Sequence, residues 1–156
     1  MNAPGTKPIR LLLVDRQQAL RRGLTMRFGL EPDLEVVGEA GDATETIHLA
    51  RVLRPDVIVM DIEMPGESGI EVAERLRAVA PCSAVVIFTL RDDAARREKA
   101  RAAGAAAFVA KYGTEETLLA AIRRVAMTHG KQSRNDPASA SREEDHGDAV
   151  RDHRSA

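Results

Sequence analysis

Continuous apolar runs and amphipathic stretches alternate along this chain. The apolar runs suit strands covered on both faces of a parallel sheet, and the stretches between them repeat apolar residues at helical spacing. Asp42 and Glu45 have the spacing of a helix capping box. The pattern predicts strands at 9–14, 34–37, 57–60, 84–88 and 106–110, and helices at about 17–30, 42–53, 70–80, 92–103 and from 114.

Five strands that alternate with five helices indicate an α/β fold. Parallel strands need crossover connections, and right-handed crossovers place helices on both faces of the sheet. We therefore expect a doubly wound, five-stranded parallel sheet within one folded domain over residues 9–129, after a flexible lead at 1–8. Residues 130–156 carry many charges of both signs and almost no apolar periodicity, so we expect a disordered polar tail there.

Polar side chains directly follow four of these strands. Asp15 comes after the first strand, Asp61 after the third, Thr89 after the fourth and Lys111 after the fifth. The run before Asp61 is apolar throughout and the loop after it contains proline and glycines, so this carboxylate is expected at the carboxyl end of a buried strand. Open α/β sheets carry their chemistry at that edge, where the four side chains should meet.

Composition narrows the possible classes of function. The formal net charge of -1 gives no footprint for binding nucleic acid or an anionic membrane. The apolar runs are far shorter than the roughly 20 residues of a membrane span, and the start of the chain lacks a signal-peptide pattern. The single cysteine, Cys82, excludes an internal disulfide and fits a reducing compartment. We therefore expect a cytoplasmic protein that does not bind membranes.

Two carboxylates, a hydroxyl and an ammonium at one edge are the groups that phosphoryl transfer onto a carboxylate needs. One carboxylate is the nucleophile, and a divalent or other cation neutralises the phosphoryl oxygens. Lysine and hydroxyl bind the remaining oxygens. The pattern therefore favours phosphorylation chemistry at Asp61.

Five sequence blocks in order resemble the receiver domains of bacterial two-component response regulators, and the wording is closest to the NarL/FixJ branch. The blocks, which start at Val14, Val36, Arg54, Ile87 and Ala103, are VDRQQALRRGL, VVGEAGD, RPDVIVMDIEMPGESG, IFTLRDD and AGAAAFVAKYGTEETLLAAI. The resemblance covers residues 9–127. It implies a flavodoxin-like sheet with strand order 2-1-3-4-5. It also implies a signalling domain with at most self-catalysed phosphotransfer and dephosphorylation, rather than an enzyme.

The resemblance assigns a role to each strand-end residue. It implies that Asp61 is the phosphoacceptor, that Lys111 binds the phosphoryl group, and that Thr89 is the switch hydroxyl. Phe108 would be the aromatic side chain that turns inward on activation. The implied partners are a histidine kinase or phosphotransfer protein as phosphoryl donor and a downstream protein target, with a homodimer as one option.

Mg²⁺ is the implied cofactor, with Asp15, Asp61 and the backbone carbonyl of Glu63 as its ligands. Receivers of this kind normally have a second acid after the first, but here Arg16 follows Asp15, and arginine cannot bind a metal. At an effective dielectric near 20, the loss of one anion about 5 Å from a divalent ion costs up to roughly 6 kcal/mol. We therefore expect weakened Mg²⁺ binding. Our hypothesis is that Arg16 takes the metal's electrostatic place and pairs with Asp61 or Glu63.

Leu90 is a second departure, because the family usually has a small residue directly after the switch threonine. Its bulk is expected to narrow access to Asp61 and to slow both phosphorylation and hydrolysis. The roles of Asp15 and Lys111 each have an alternative at this point. Asp15 also fits a structural role as the partner of Lys111 or Arg16, and Lys111 also fits simple exposure to solvent.

Other functions compete with that of a receiver that signals by protein contact. The nearest branch usually carries a helix-turn-helix, but the tail offers no recognition helix, so we expect this chain not to bind nucleic acid. A transcription regulator lacking its DNA-binding part, or an atypical receiver that works without phosphorylation, is the alternative. Haloacid-dehalogenase-type phosphatases need Asp-x-Asp after their first strand, and Asp15-Arg16-Gln17 lacks it. A dinucleotide site is disfavoured because no glycine-rich turn follows Val14.

Overall fold

The structure is a computed structural model that describes residues 6–134. Strands and helices alternate without exception along these residues. In chain order they are β1 (Ile9–Val14), α1 (Gln18–Phe28), β2 (Leu34–Ala40), α2 (Ala43–Leu53), β3 (Val57–Met60), α3 (Gly69–Val79), β4 (Ala84–Thr89), α4 (Ala94–Ala102), β5 (Ala107–Ala110) and α5 (Glu115–Arg134). The strands form one parallel sheet in the order β2-β1-β3-β4-β5. The predicted fold class and strand order are confirmed.

Two apolar cores cover the two faces of the sheet. Successive residues of a strand point to opposite faces, so Leu11 and Leu13 enter one core while Leu12 and Val14 enter the other. Helices α1 and α5 cover the first core, and α2, α3 and α4 cover the second. Burial on both faces explains why the central strands are continuous apolar runs.

Strand β2 is longer than predicted, because it continues past residue 37 to Ala40. Its last residues pair with β1, and the register shifts between Leu11 and Leu12. Gly38 faces Leu12 across this pairing, and a Cβ added at Gly38 would lie only 2.8 Å from Leu53. Glycine therefore allows the strand to pass close under α2, although glycine normally indicates the end of a strand.

The bounds of several other elements also differ from the prediction. α1 begins and ends inside the predicted range of 17–30, and β5 begins at Ala107 rather than at residue 106. α5 continues past the expected domain end at residue 129 as far as Arg134. Polar residues such as lysine, glutamine and arginine are good helix formers, so a polar composition alone did not end the helix. The rest of the expected tail, 135–156, and residues 1–5 of the expected lead lie outside the described residues.

Side chains cap the N-termini of α2, α4 and α5, and the cap of α2 is the one that the spacing of Asp42 and Glu45 predicted. The carboxylates of Asp42 and Asp93 each accept a hydrogen bond of 2.8 Å from the backbone N–H three residues later. The Thr114 hydroxyl accepts one of 3.3 Å from the N–H of Thr117. Glu45 completes the box at α2 by accepting a bond of 3.0 Å from the N–H of Gly41.

Replacement of Asp42 by alanine is expected to lower the free energy of unfolding by about 1 kcal/mol, because the N–H of Glu45 loses its acceptor. Urea unfolding of the wild type and the variant measures this loss. Glu74→Ala, on the exposed side of α3, is the matched control and should change stability by less than about 0.5 kcal/mol. Equal stability of the two variants would contradict the role of the cap.

Candidate functional site

The Lys111 ammonium joins two buried carboxylates at the carboxyl edge of the sheet. Its Nζ lies 2.6 Å from Asp15 Oδ2 and 2.7 Å from Asp61 Oδ2. Asp15 and Asp61 are only 4% and 6% exposed. The sequence-based alternative that Lys111 is merely solvated is therefore wrong, and Asp15 is the partner of Lys111.

Strand register explains why these three residues meet. Val14 of β1 pairs with Met60 of β3, so the next residues, Asp15 and Asp61, leave the sheet side by side. Lys111 follows β5, which is separated from β3 by β4. The long lysine side chain is therefore needed to reach across the end of β4 to both carboxylates.

Three strand-end side chains are held by their own loops in the same way. Each accepts a hydrogen bond from the backbone N–H two residues later, a local turn typical of aspartate and threonine. The bonds are Gln17 N to Asp15 Oδ1 at 2.8 Å, Glu63 N to Asp61 Oδ1 at 3.1 Å, and Arg91 N to Thr89 Oγ1 at 3.2 Å. The backbone therefore fixes one oxygen of each carboxylate and leaves the other to Lys111.

The environment of Lys111 acts on its protonation in two opposite directions. Burial disfavours the charged ammonium and is the largest single influence, lowering its pKa. The hydrogen bonds and negative charges of Asp15 and Asp61 together outweigh burial and raise the pKa above its ordinary value. The side chain is therefore charged throughout the neutral range, as an anion-binding group must be.

A second set of ion pairs lies at the outer rim of the site. Arg16 Nη2 lies 3.3 Å from Glu63 Oε2, and Arg91 Nε lies 2.5 Å from Glu63 Oε1. Of the two partners expected for Arg16, Glu63 is the one observed. Arg91 was not predicted as a site residue, because an arginine in a loop gives no pattern by itself.

The position expected for the switch aromatic, Phe108, is covered by a charged cluster. The guanidinium of Arg97 lies 4.8 Å from the centre of the Phe108 ring, within cation–π distance. Arg97 also pairs with Asp92, which accepts a bond of 2.9 Å from the Tyr112 hydroxyl. The hydrogen bonds from Arg97 and then Tyr112 hold the pKa of Asp92 below its usual value. This cluster connects the loop after β4 to β5.

Leu90 lies beside the site with 65% of its surface exposed, so most of its side chain faces solvent. Thr89 is completely buried, so the threonine rather than the leucine faces the interior. The narrowing of access to Asp61 by Leu90 stays a prediction.

Two features of this edge bear on how a divalent cation would be held. All four oxygens of Asp15 and Asp61 already accept hydrogen bonds, two from backbone N–H groups and two from Lys111. Arg16 stands in place of a third acid and points its charge at Glu63. Among residues 6–134, no three histidine, cysteine or acidic side chains come together in a way that could hold a metal.

The sheet order and the helices on both faces define a flavodoxin-like α/β protein with its polar site at the carboxyl edge. The family model for the response regulator receiver domain matches residues 11–123. The chain therefore belongs to the receiver domains of two-component response regulators, a family that generally binds Mg²⁺ at an acidic pocket.

Individual relatives agree with this assignment. The chain is 38% identical over 118 residues to the uncharacterized transcriptional regulatory protein YxjL of Bacillus subtilis. The aligned region covers 76% of this chain and 54% of YxjL. The chain is also 33% identical over 120 residues to the nitrate/nitrite response regulator protein NarL of Escherichia coli, and this aligned region covers 77% of the chain and 56% of NarL. The signal receiver domain of the putative response regulator NarL from Mycobacterium tuberculosis superimposes with a TM-score of 0.74 at 29% identity, covering 78% of this chain and 98% of that domain.

The chain spans about half the length of these curated relatives. No helix among the described residues is long and apolar enough to cross a membrane.

Proposed function

We propose that this receiver accepts a phosphoryl group on Asp61 and signals through protein contacts. The observation that carries the proposal is the Lys111 ammonium bound to both Asp15 and Asp61 at the edge of the sheet. A buried aspartate beside a fixed cation is suited to receive a phosphoryl group, because the cation offsets the charge that arrives. Thr89 lies at the end of the neighbouring strand and is the hydroxyl for the same group.

In the proposed transfer, a carboxylate oxygen of Asp61 attacks the phosphorus of a phosphohistidine on a histidine kinase or phosphotransfer protein. An oxygen–phosphorus bond forms as the nitrogen–phosphorus bond breaks, and the histidine nitrogen keeps the electron pair and takes up a proton. Lys111 then exchanges its contact with Asp61 for a phosphoryl oxygen while it keeps Asp15. Hydrolysis by water regenerates the carboxylate and releases phosphate.

The proposed transfer contains no step that depends on Mg²⁺. Asp15, Asp61 and the carbonyl of Glu63 are the groups that would face the ion, but Lys111 and Arg16 already supply positive charge there. We therefore propose that this receiver binds Mg²⁺ weakly.

The proposed switch couples Thr89 to Phe108. The Thr89 hydroxyl now accepts the N–H of Arg91, and its turn toward a phosphoryl group would release that loop. The loop continues into Asp92, whose partner Arg97 lies over the Phe108 ring. Movement of the loop would therefore free the aromatic side chain to turn inward and change the surface of α4, β5 and α5.

A cytoplasmic protein fits this role, with a histidine kinase or phosphotransfer protein on one side and a downstream protein on the other. We propose that this chain contacts its target as a protein surface, alone or as a homodimer, and does not bind nucleic acid or membranes. Its net charge of -1 supports that choice.

Incubation with a small phosphodonor, followed by intact mass measurement, tests the proposed acceptor. We expect the wild type to gain one phosphoryl group and Asp61→Asn to gain none. Asp56→Asn is the matched control, because Asp56 precedes the same strand at its opposite end, and it should be modified like the wild type.

Two results would contradict the proposal. Equal modification of wild type and Asp61→Asn would exclude Asp61 as acceptor. A wild type that stays unmodified while Arg16→Asp is modified in the presence of Mg²⁺ would assign the chain to receivers that work without phosphorylation.

The second candidate is the receiver part of a DNA-binding regulator. Two observations favour it: the match to a transcriptional regulatory protein, and the coverage of only about half of that relative. Sequencing through the gene on both sides of this region tests it. A helix-turn-helix segment in the same reading frame would support this candidate, and a stop codon directly after residue 156 would remove it.

A further inference from the structure

The carboxylate of Glu63 lies between two arginines that come from two other loops. Arg16 binds its Oε2 and Arg91 binds its Oε1, so each oxygen has one guanidinium. The three loops concerned follow β1, β3 and β4. The first two begin with Asp15 and Asp61, and the third follows Thr89, the last residue of β4. This triad, Arg16, Glu63 and Arg91, therefore joins the three loops around the mouth of the site.

The triad is held loosely. The side chains of Arg16 and Arg91 are 55% and 59% exposed, and that of Glu63 is 31% exposed. Exposed ion pairs contribute little to stability because water screens them and long side chains lose entropy when they pair. Either guanidinium can therefore leave Glu63 for a better anion at small cost.

The cluster around Lys111 carries a net negative charge, and the triad at the rim carries a net positive charge. Inside, Lys111 faces two carboxylates, which leaves one excess negative charge. Outside, Glu63 faces two guanidiniums, which leaves one excess positive charge. A phosphoryl group on Asp61 would add negative charge between them, where it would compete with Glu63 for the guanidiniums.

Backbone geometry places both arginines close to that point. Arg16 directly follows Asp15, and Arg91 donates its own backbone N–H to Thr89. The backbone N–H of Glu63 is bonded to Asp61 itself. Guanidinium groups match the geometry of phosphoryl oxygens and are always charged.

From this geometry we infer that Arg16 and Arg91 form a metal-independent oxyanion site over Asp61, which Glu63 occupies until a phosphoryl group displaces it. The inference rests on the proposed phosphorylation of Asp61 and adds the ligand exchange that would accompany it. Release of Glu63 would free the loop after β3, and capture of Arg91 would draw the loop after β4 toward the site.

Titration of the chain with beryllium trifluoride, a phosphoryl mimic, in buffer without Mg²⁺ tests the inference. Amide NMR signals of Thr89 and Lys111 report the binding. We expect the wild type to saturate without Mg²⁺, and Arg16→Ala with Arg91→Ala to weaken binding by about tenfold or more, because two charge-assisted bonds are lost. Glu63→Gln should bind more tightly than the wild type, because the competing anion is gone.

Two control variants separate the site from general charge effects. Arg101→Ala, which removes an exposed arginine that pairs with Glu98 on α4, should leave the affinity unchanged. Arg16→Asp restores an acidic pair and should make binding depend on added Mg²⁺. An unchanged affinity in the arginine double variant, or a wild type that binds the mimic only with Mg²⁺, would overturn the inference.

The same titration distinguishes failure of the inference from failure of the proposed function. If the wild type binds the mimic with Mg²⁺ but not without it, Asp61 remains the acceptor and the arginine site is wrong. If the wild type binds it under neither condition, Asp61 is not an acceptor and both fail.

Discussion

Gly69→Ala is expected to lower the free energy of unfolding by about 3 kcal/mol and to displace Asp61 from Lys111. A Cβ at residue 69 would lie 2.1 Å from the carbonyl oxygen of Asp61 and 2.8 Å from the Cα of Ile62. Both neighbours are backbone atoms next to the acceptor, so they cannot rotate away as the end of a side chain would. The close approach is fixed by the bond of 2.7 Å from Gly69 N to Ile62 O.

Urea unfolding and phosphodonor labelling of the same protein measure the two parts of this prediction. Gly23→Ala is the matched control, because a Cβ at this α1 position meets nothing within 4 Å. It should stabilise the protein slightly, by up to about 1 kcal/mol, since alanine favours helix. A Gly69→Ala variant as stable and as readily labelled as the wild type would show that the loop after β3 relaxes without moving Asp61.

Lys111→Met is expected to cost about 3 kcal/mol at neutral pH, because it leaves two buried carboxylates without their cation. It should also remove most phosphoryl uptake, since the anion-binding ammonium is lost. The double variant Lys111→Met with Asp15→Asn should regain stability but not phosphoryl uptake.

The stability of the wild type is expected to depend on pH through the ionisation of Lys111. Its pKa is raised in the folded state, so its contribution to stability is complete below the unfolded pKa of about 10.4 and is lost as the pH rises through the higher folded value. Thermal unfolding of the wild type and Lys111→Met between neutral pH and pH 11 checks this. A stability difference that stays constant across that range would contradict the ion-pair account.

The position of Asp61 could be predicted from the sequence because burial and loop chemistry act together there. The run Val57–Met60 is apolar at every position, and the residues after Asp61 break the strand. Parallel strands of a doubly wound sheet then bring Asp15 to the same edge without further information. The arrival of Lys111 at the same edge followed from the same reasoning, whereas its pairing with Asp15 was one of several roles that the pattern left open.

The rim of the site could not be predicted in full. Glu63 was expected as a metal ligand through its backbone carbonyl and as one of two possible partners of Arg16. The structure shows its carboxylate paired with Arg16 and also with Arg91, which the sequence did not indicate. The pairing of Arg91 with Glu63 joins loops 28 residues apart in the chain, a distance that carries no periodic signal. The charge of Arg16 in an acidic position was the only indication in the sequence that the rim differs.

The ends of β2 and α5 escaped prediction for a different reason. Pairing with β1 decides where β2 ends, and this tertiary contact overrides the breaking tendency of Gly38. At α5, the change to polar composition predicts a tail, but hydrogen bonding along a helix does not require apolar residues.

The most direct test of the central claim is to locate the phosphoryl group within the chain. After incubation of the wild type with a phosphodonor, reduction of the acyl phosphate and peptide mass spectrometry identify the modified residue. We expect a single modification at Asp61, present with or without Mg²⁺. Modification at another residue, or none at all under either condition, would contradict the assignment of Asp61 as the phosphoacceptor.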